Sequence, residues 1–201
     1  EFSRVLFRSP PAQPARAAVA PGSASAAAGG PPDLERWCRD VTSRLNGFAP
    51  SRCLRSGLLA GDGRSVHGVP LWHRDVLPHG TPNLRVLVLG GIHGDEMTSV
   101  NVVMDWLERS QRRTPEAIHW RMVPLVNPDG LLHQPATRVN AHGVDLNRNF
   151  NTTDWATEAQ RYWISRTGRD PRRFPGPKAL SEPERSEEHT SELQSRVDIS
   201  Y

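Results

Sequence analysis

The stretch Arg85-Val-Leu-Val-Leu-Gly-Gly-Ile-His-Gly-Asp-Glu96 decides the fold of this chain, because an apolar strand runs here into a glycine-rich loop. Residues 85–90 form an apolar run between turn signals, which is typical of a strand buried on both faces. Residues 97–109 follow with apolar side chains at helical spacing, and residues 119–126 form a second apolar run. This alternation predicts an α/β domain with a mixed, partly parallel sheet flanked by helices.

Weaker patterns outside this stretch predict further elements. Residues 33–46 place their apolar side chains on one helical face, with Asp33 as the N-cap. Gly61-Asp-Gly63 predicts a tight turn, and the segment from Val66 to Trp72 predicts a strand. Residues 154–166 have the pattern of a surface helix.

The composition excludes several classes of partner. The 201 residues suffice for one domain with a core, and the net charge of +3 is mild. The arginines are scattered rather than gathered in a basic stripe, so no nucleic-acid partner is expected. No apolar run is long enough to span a membrane, so no membrane partner is expected. Cys38 and Cys53 match no zinc-site spacing, which favours two buried free thiols.

The chain divides into four parts. Residues 185–195 resemble in full the translation of a common sequencing-library adapter, and residues 1–9 resemble its reverse complement with one mismatch, at Ser3. We expect adapter artefacts at 1–9 and 185–201, with ordinary polar tails as the alternative. Residues 10–32, almost entirely Pro, Ala, Gly and Ser, are predicted to be disordered. We then expect residues 33–184 to be the N-terminal part of a folded domain whose C-terminal part is missing.

The glycine-rich loop carries a candidate metal pair. A catalytic zinc needs three protein ligands and one open position. His93 and Glu96 are three residues apart, so their side chains converge on one ion if the loop turns into a helix. Gly90, Gly91 and Gly94 give the backbone the freedom for that turn. The alternative is a loop histidine beside a glutamate that is favoured by a helix N-terminus.

A second loop, residues 138–150, is dense in hydrogen-bonding groups. The guanidinium of Arg148 suits a substrate carboxylate, and Asn147 beside it would fix that carboxylate's orientation. Arg138 would stabilise negative charge that develops on a carbonyl oxygen. The alternative is a solvated polar loop in which Asn and Asp only serve turns.

Four motifs together resemble the carboxypeptidase A-type family of zinc metallopeptidases over residues 55–184, namely His93–Glu96, Asn127–Gly130, Arg138 and Asp145–Phe150. The resemblance implies the zinc carboxypeptidase, or phosphorylase/hydrolase-like, fold and Zn2+ as cofactor. It also implies His93 and Glu96 as zinc ligands, and Arg138 as the catalytic residue that polarises the scissile carbonyl. Asn147 and Arg148 would bind the terminal carboxylate of a small peptide. The implied reaction is metal-assisted hydrolysis next to a free carboxylate.

Within that family, the chain resembles the murein peptide amidases. The segments that carry this likeness are His119–Leu132, Trp155, Tyr162-Trp163, Asp170–Gly176 and Leu180–Glu184. Asn151 departs from the pattern, which has proline there. The likeness implies cleavage between γ-D-glutamate and diaminopimelate in cell-wall muropeptides. Together with the missing signal peptide, it predicts a cytoplasmic location.

Two parts of the family's site have no counterpart in the chain. The third zinc ligand is a later histidine, and the catalytic glutamate comes later still; His189 lies in the adapter-like run and is rejected. Ser181–Glu184 is expected to be a capping box that opens a helix. An inactive truncated fragment is therefore one alternative. A succinylglutamate desuccinylase- or aspartoacylase-like zinc deacylase is another, although Asn127–Gly130 favours the peptidase.

Overall fold

The computed structural model describes residues 32–110 and 117–185. The predicted disordered segment and both adapter-like ends lie outside these residues, apart from Pro32 and Arg185 at the boundaries. The α-helices are α1 Pro32–Thr42, α2 Pro50–Leu54, α3 Met97–Ser110, α4 Pro128–Leu132 and α5 Trp155–Thr167. The strands are β1 Leu59–Arg64, β2 Pro70–Val76, β3 Leu84–Leu89 and β4 Ile118–Val123. Single 3-10 turns occupy Leu146–Arg148, Pro171–Arg173 and Pro183–Arg185.

The four strands form one mixed sheet in the order β1-β2-β4-β3. β3 pairs in parallel with β4, from Leu84 opposite Ile118 to Leu89 opposite Val123. β4 is antiparallel to β2, and β2 is antiparallel to β1. The predicted α/β fold with a partly parallel sheet is therefore confirmed. None of the helices in the described ranges has the length and apolar character that a bilayer crossing requires.

The apolar face of α3 packs in the main hydrophobic core, together with one face of the sheet. Its buried residues are Val100, Val103, Met104 and Leu107, which recur at helical spacing on one face. They pack with α1 and with alternate strand residues, such as Val86 and Val88 of β3, into one large cluster. The strand residues between those, including Leu87, point to the opposite face of the sheet.

A smaller cluster on that opposite face positions the site. It joins Leu87 of β3 and Val123 of β4 to side chains from the loops that follow the strands, and its other buried members are Ile92, Val126, Leu146 and Phe150. Because β3 and β4 are parallel, both loops leave the same edge of the sheet. The cluster therefore holds the two loops and the 146–150 segment together.

Three local predictions at the N-terminal side are wrong. α1 begins at Pro32, so Asp33 lies inside its first turn rather than at the N-cap. Gly61-Asp-Gly63 lies within β1, where the irregular register between Ala60 and Arg64 accommodates the glycines in a paired strand. The second strand is Pro70–Val76 instead of 66–72, because residues 65–69 form the turn between β1 and β2. Pairing between strands decided the bounds of β1 and β2.

The prediction of two free thiols is also wrong. Cys38 of α1 and Cys53 of α2 form a disulfide, with their Cα atoms 5.7 Å apart. Both residues are fully buried in the large cluster. The spacing of 15 residues does not reveal the pairing, because only the packing of α2 against α1 brings the two side chains together.

Reduction of this disulfide is expected to destabilise the protein by about 3 kcal/mol, because a cross-link over a loop of about 15 residues restricts the unfolded chain by that amount. Urea unfolding with and without dithiothreitol measures the effect. The control is the double variant Cys38→Ala/Cys53→Ala, whose midpoint should not respond to the reductant. An unchanged wild-type midpoint in dithiothreitol would contradict the prediction.

A charged cluster ties β2 to β4. Asp75 lies opposite Arg121 in the register, and it accepts hydrogen bonds from Arg121 Nε at 2.9 Å and Nη2 at 2.8 Å. Nε2 of His119 lies 2.9 Å from the same carboxylate. Burial alone raises the pKa of Asp75, but the hydrogen bonds from Arg121 and His119 outweigh it and hold the pKa below its ordinary value.

Asp75→Asn is expected to lower the free energy of unfolding at pH 7 by about 2 kcal/mol, the scale of charge-assisted hydrogen bonds. Since the folded pKa is depressed, the stabilisation by Asp75 is complete above the ordinary pKa and is lost as the pH falls through the folded pKa. The difference between wild type and variant should therefore narrow below about pH 4. Chemical denaturation at several pH values measures it, with the exposed Asp62→Asn as control. A difference that is constant with pH would disprove this origin.

Candidate active site

The loop between β3 and α3 brings the two predicted ligands together. His93 is buried, and its Nδ1 lies 3.0 Å from Oε1 of Glu96. The backbone closes a turn here, because the amide of Glu96 donates to the carbonyl of His93 at 3.2 Å. α3 then begins at Met97, as the sequence pattern predicts. The turn into the helix thus places an imidazole nitrogen and a carboxylate oxygen side by side.

Glycine is required where this loop meets α4. A Cβ added at Gly94 would lie 2.2 Å from the carbonyl carbon of Gly130 and 2.3 Å from the amide of Leu131. Gly91 has a positive φ of 56°, and a Cβ there would lie 2.6 Å from Leu125. The loop therefore packs backbone to backbone on the segment that follows β4, which fixes its path.

Asp145 holds the other side of His93. The carboxylate of Asp145 is fully buried, and its Oδ1 lies 3.0 Å from Nε2 of His93. Both ring nitrogens of His93 therefore face carboxylate oxygens, and Asp145 is placed to accept the ring N–H on the side that would not bind a metal. Asp145 begins the Asp145–Phe150 motif, but nothing in the local pattern marks it as a site residue; only its contact with His93, 52 residues away, reveals its role.

The same carboxylate receives further donors. Arg138 Nε donates to Oδ2 of Asp145 at 3.0 Å, and the amide of Asn147 donates to Oδ1 at 3.1 Å. Burial alone raises the pKa of Asp145, but the hydrogen bond from His93 and the charge of Arg138 outweigh it, so the pKa lies below its ordinary value. Asp145 is thus an ionised acceptor that orients three neighbours.

Arg138 links the two loops. Its Nη1 donates to Oε1 of Glu96 at 3.1 Å while its Nε binds Asp145, so its guanidinium lies beside both candidate loops. Arg148 approaches the same oxygen of Asp145, with its Nε 3.4 Å from Oδ2. All five residues that the sequence singled out therefore lie around one place, although their roles stay predictions.

A cavity of about 800 Å³ opens next to the metal pair. Its polar lining includes His93, Glu96 and Asn147, together with Asn46, Asp95, Thr98 and Ser99. Its apolar lining comes from β3 and α3, and includes Val88, Leu89, Met97, Val102 and Trp106. The candidate ligands are therefore accessible from a largely apolar space, as in most small-molecule sites.

The donor set suits zinc but is incomplete. Histidine nitrogen with a carboxylate oxygen is a combination that zinc takes, and Asp145 supplies the outer partner that zinc-bound histidines usually have. Among residues 32–110 and 117–185, however, no group of three or more His, Cys, Asp or Glu side chains is arranged to hold a metal ion. His93 and Glu96 fit as two ligands of a three-ligand site.

A 3-10 turn begins at Pro183, but the hydrogen bonds of the predicted capping box at Ser181–Glu184 are not the ones that these side chains form, and any helix beyond Arg185 lies outside the described residues. The hydroxyl of Ser181 donates to Glu182, and the carboxylate of Glu184 accepts from the amide of Val66, 118 residues away. Asn140 donates to both glutamates, which are buried. Burial raises the pKa of Glu184. These carboxylates therefore anchor residues 182–184 to distant loops.

Comparisons with known proteins agree with this geometry. The family model described as zinc carboxypeptidase matches residues 61–196. Murein peptide amidase A of Escherichia coli K12 is 40% identical over 126 residues, which cover 61% of this chain and 48% of that protein. The Vibrio campbellii murein peptide amidase A is 38% identical over 125 residues, covering 61% of this chain and 47% of that protein. The chain thus spans about half the length of these curated relatives.

A solved structure shows the same fold. The structure of bovine thrombin-activatable fibrinolysis inhibitor in complex with tick carboxypeptidase inhibitor superimposes with a TM-score of 0.57 at 19% identity. The match covers 84% of this chain and 59% of that chain. At this level of identity the likeness concerns the fold, and it places the mixed sheet described above within a larger known architecture.

Gly94→Ala is expected to destabilise the protein by about 3 kcal/mol, because the added methyl group would overlap the backbone of α4, which has no flexible side chain to yield. Urea unfolding measures the effect. Gly80→Ala is the matched control, since a Cβ at Gly80 meets nothing within 4 Å. Equal midpoints for the two variants would show that the loop does not pack as described.

Proposed function

The chain belongs to the zinc carboxypeptidase family, and on that premise we propose that the whole protein is a zinc-dependent peptidase that hydrolyses a peptide or amide bond next to a free carboxylate. Its proposed substrate is a cell-wall muropeptide, cleaved between γ-D-glutamate and diaminopimelate. The substrate proposal rests on the motifs shared with murein peptide amidases and on the identity of about 40% to two of them.

One observation carries the proposed chemistry. Nδ1 of His93 and Oε1 of Glu96 converge to 3.0 Å, while Asp145 binds the opposite nitrogen of the same ring. His93 and Glu96 would hold the metal, and the family pattern assigns the third ligand to a histidine further along the chain. A bound zinc supplies a water of lowered pKa and polarises the scissile carbonyl.

The remaining residues bind and orient the substrate. Arg138 lies against Glu96 and Asp145, so its guanidinium is fixed close to the metal ligands, where it would stabilise negative charge on the carbonyl oxygen. Asn147 and Arg148 follow Asp145 in the same turn and would bind the substrate's terminal carboxylate. Asp145 keeps the metal-binding and substrate-binding residues together, because its carboxylate contacts His93 as well as Arg138 and the amide of Asn147.

The cellular compartment of the protein is predicted from two features that point in different directions. A cytoplasmic location stays a prediction that rests on the family resemblance. The disulfide between Cys38 and Cys53 favours an oxidising compartment instead, because cytosolic proteins seldom keep structural disulfides.

Hydrolysis of a γ-D-glutamyl-diaminopimelate tripeptide by the full-length protein tests the proposal, with N-acyl amino acids as the competing substrates. We expect the tripeptide to be cleaved, a chelator to abolish cleavage and zinc to restore it. His93→Ala should reduce kcat/KM at least about a hundredfold, since losing only an outer partner of a zinc ligand costs 10–100-fold. His79→Ala, in an exposed loop, is the control.

Two results would overturn the proposal. Hydrolysis of N-acyl amino acids alone would identify a deacylase, which shares the His-x-x-Glu and Asp-Leu-Asn-Arg patterns. Absence of hydrolysis of either substrate class, together with absence of zinc binding, would show that the full-length protein is not a zinc hydrolase; the alternative of an inactive truncated fragment is tested by the same measurements on the 201-residue chain.

A further inference from the structure

The side chain of Arg148 is held by an aromatic face. Its guanidinium carbon lies 5.0 Å from the centroid of the Tyr162 ring. Its Nε is buried and has no hydrogen-bond partner among the described residues, although Oδ2 of Asp145 lies 3.4 Å away. Within the described ranges, the guanidinium is thus held by stacking and by a long ion pair, and its Nε makes no hydrogen bond.

α5 supports both ends of Arg148. Nε1 of Trp155 donates to the backbone carbonyl of Arg148 at 2.7 Å. Tyr162 comes seven residues later, which is two turns of helix, so it lies on the same face of α5 as Trp155. On this face of α5, Trp155 therefore holds the backbone of Arg148, and Tyr162, two turns further along, contacts its guanidinium.

α5 is itself anchored from its far end. Nε1 of Trp163 donates to the carbonyl of Asp170 at 2.8 Å, and the Trp163 ring packs on Phe174 with 4.9 Å between centroids. Gln160 donates to the carbonyl of Gly176 at 2.7 Å. These contacts hold a helix that has no buried residues of its own. A surface helix is therefore fixed firmly enough to orient a side chain.

We propose that Tyr162 is a positioning residue, whose ring holds the Arg148 guanidinium in the orientation that receives the substrate's terminal carboxylate. This inference rests on the proposed function. Stacking occupies the face of the guanidinium and leaves its N–H edge free. A free edge is what a bidentate contact with a carboxylate needs. An arginine fixed by several hydrogen bonds would already have used those donors.

The hydroxyl and the apolar bulk of Tyr162 do not account for this arrangement. The side chain is 39% exposed, so it contributes little to any core. No described contact of the ring with Arg148 requires the hydroxyl, since the guanidinium lies over the ring itself. Removing the hydroxyl and removing the ring should therefore have different consequences.

The test compares Tyr162→Phe with Tyr162→Leu in the full-length protein. Tyr162→Phe keeps the aromatic face and should leave KM within about twofold of wild type. Tyr162→Leu removes the face and should raise KM for the tripeptide about fivefold to tenfold, within the range of cation–π contacts. Its kcat should stay within about twofold. With a substrate whose terminal carboxylate is amidated, Tyr162→Leu and wild type should not differ.

Ile164→Ala is the matched control, because Ile164 is an exposed apolar residue of the same helix at 46% exposure. It should leave KM unchanged. Urea midpoints of all variants should agree with wild type. A Tyr162→Leu variant that loses stability and kcat together, or a Tyr162→Phe variant with the same KM defect, would overturn the inference.

Arg148→Ala separates this inference from the proposed function. If Arg148→Ala leaves KM for the tripeptide unchanged, the proposed role of Arg148 in carboxylate binding fails, and the inference fails with it. If Arg148→Ala raises KM while Tyr162→Leu does not, the proposed function stands and only the role of Tyr162 is disproved.

Discussion

The buried carboxylate of Asp145 is the constraint on which the rest of the site depends. It binds the ring nitrogen of His93 that faces away from Glu96, and it also accepts from Arg138 and from the amide of Asn147. A buried ionised carboxylate is costly unless such donors surround it. The contacts that stabilise the Asp145 carboxylate are therefore the same contacts that orient His93, Arg138 and Asn147.

The sheet supplies the conditions for those contacts. Parallel pairing of β3 and β4 makes the loop of His93 and the loop of Asn127 leave the same edge. The small apolar cluster around Leu87, Val123 and Leu146 then brings the Asp145 turn against that edge. Gly94 permits the two loops to touch backbone to backbone. The apolar packing thus stabilises the arrangement of loops on which the polar contacts of the site depend.

Elements outside the site show which secondary structure a local sequence pattern can predict and which it cannot. The helical spacing of Val100, Val103 and Leu107 and the apolar run of β3 predicted their elements correctly, because burial selects those patterns directly. Gly61 and Gly63 led to the wrong prediction of a turn, because a paired strand can accommodate glycines where its register is irregular. The capping hydrogen bonds predicted for Ser181–Glu184 were wrong for a related reason. The carboxylate of Glu184 accepts from the distant amide of Val66.

The sequence by itself determined the fold class, the family and the identity of the residues around the metal pair, since spacing and order along the chain carry that information. His93, Glu96, Arg138, Asn147 and Arg148 were all identifiable in this way. Only the tertiary structure decided that Asp145 binds His93, that Cys38 joins Cys53, and that Tyr162 lies under Arg148. Each of these pairs is formed by the packing of separate segments, and a contact of that kind leaves no period or spacing in the sequence by which it could be recognised.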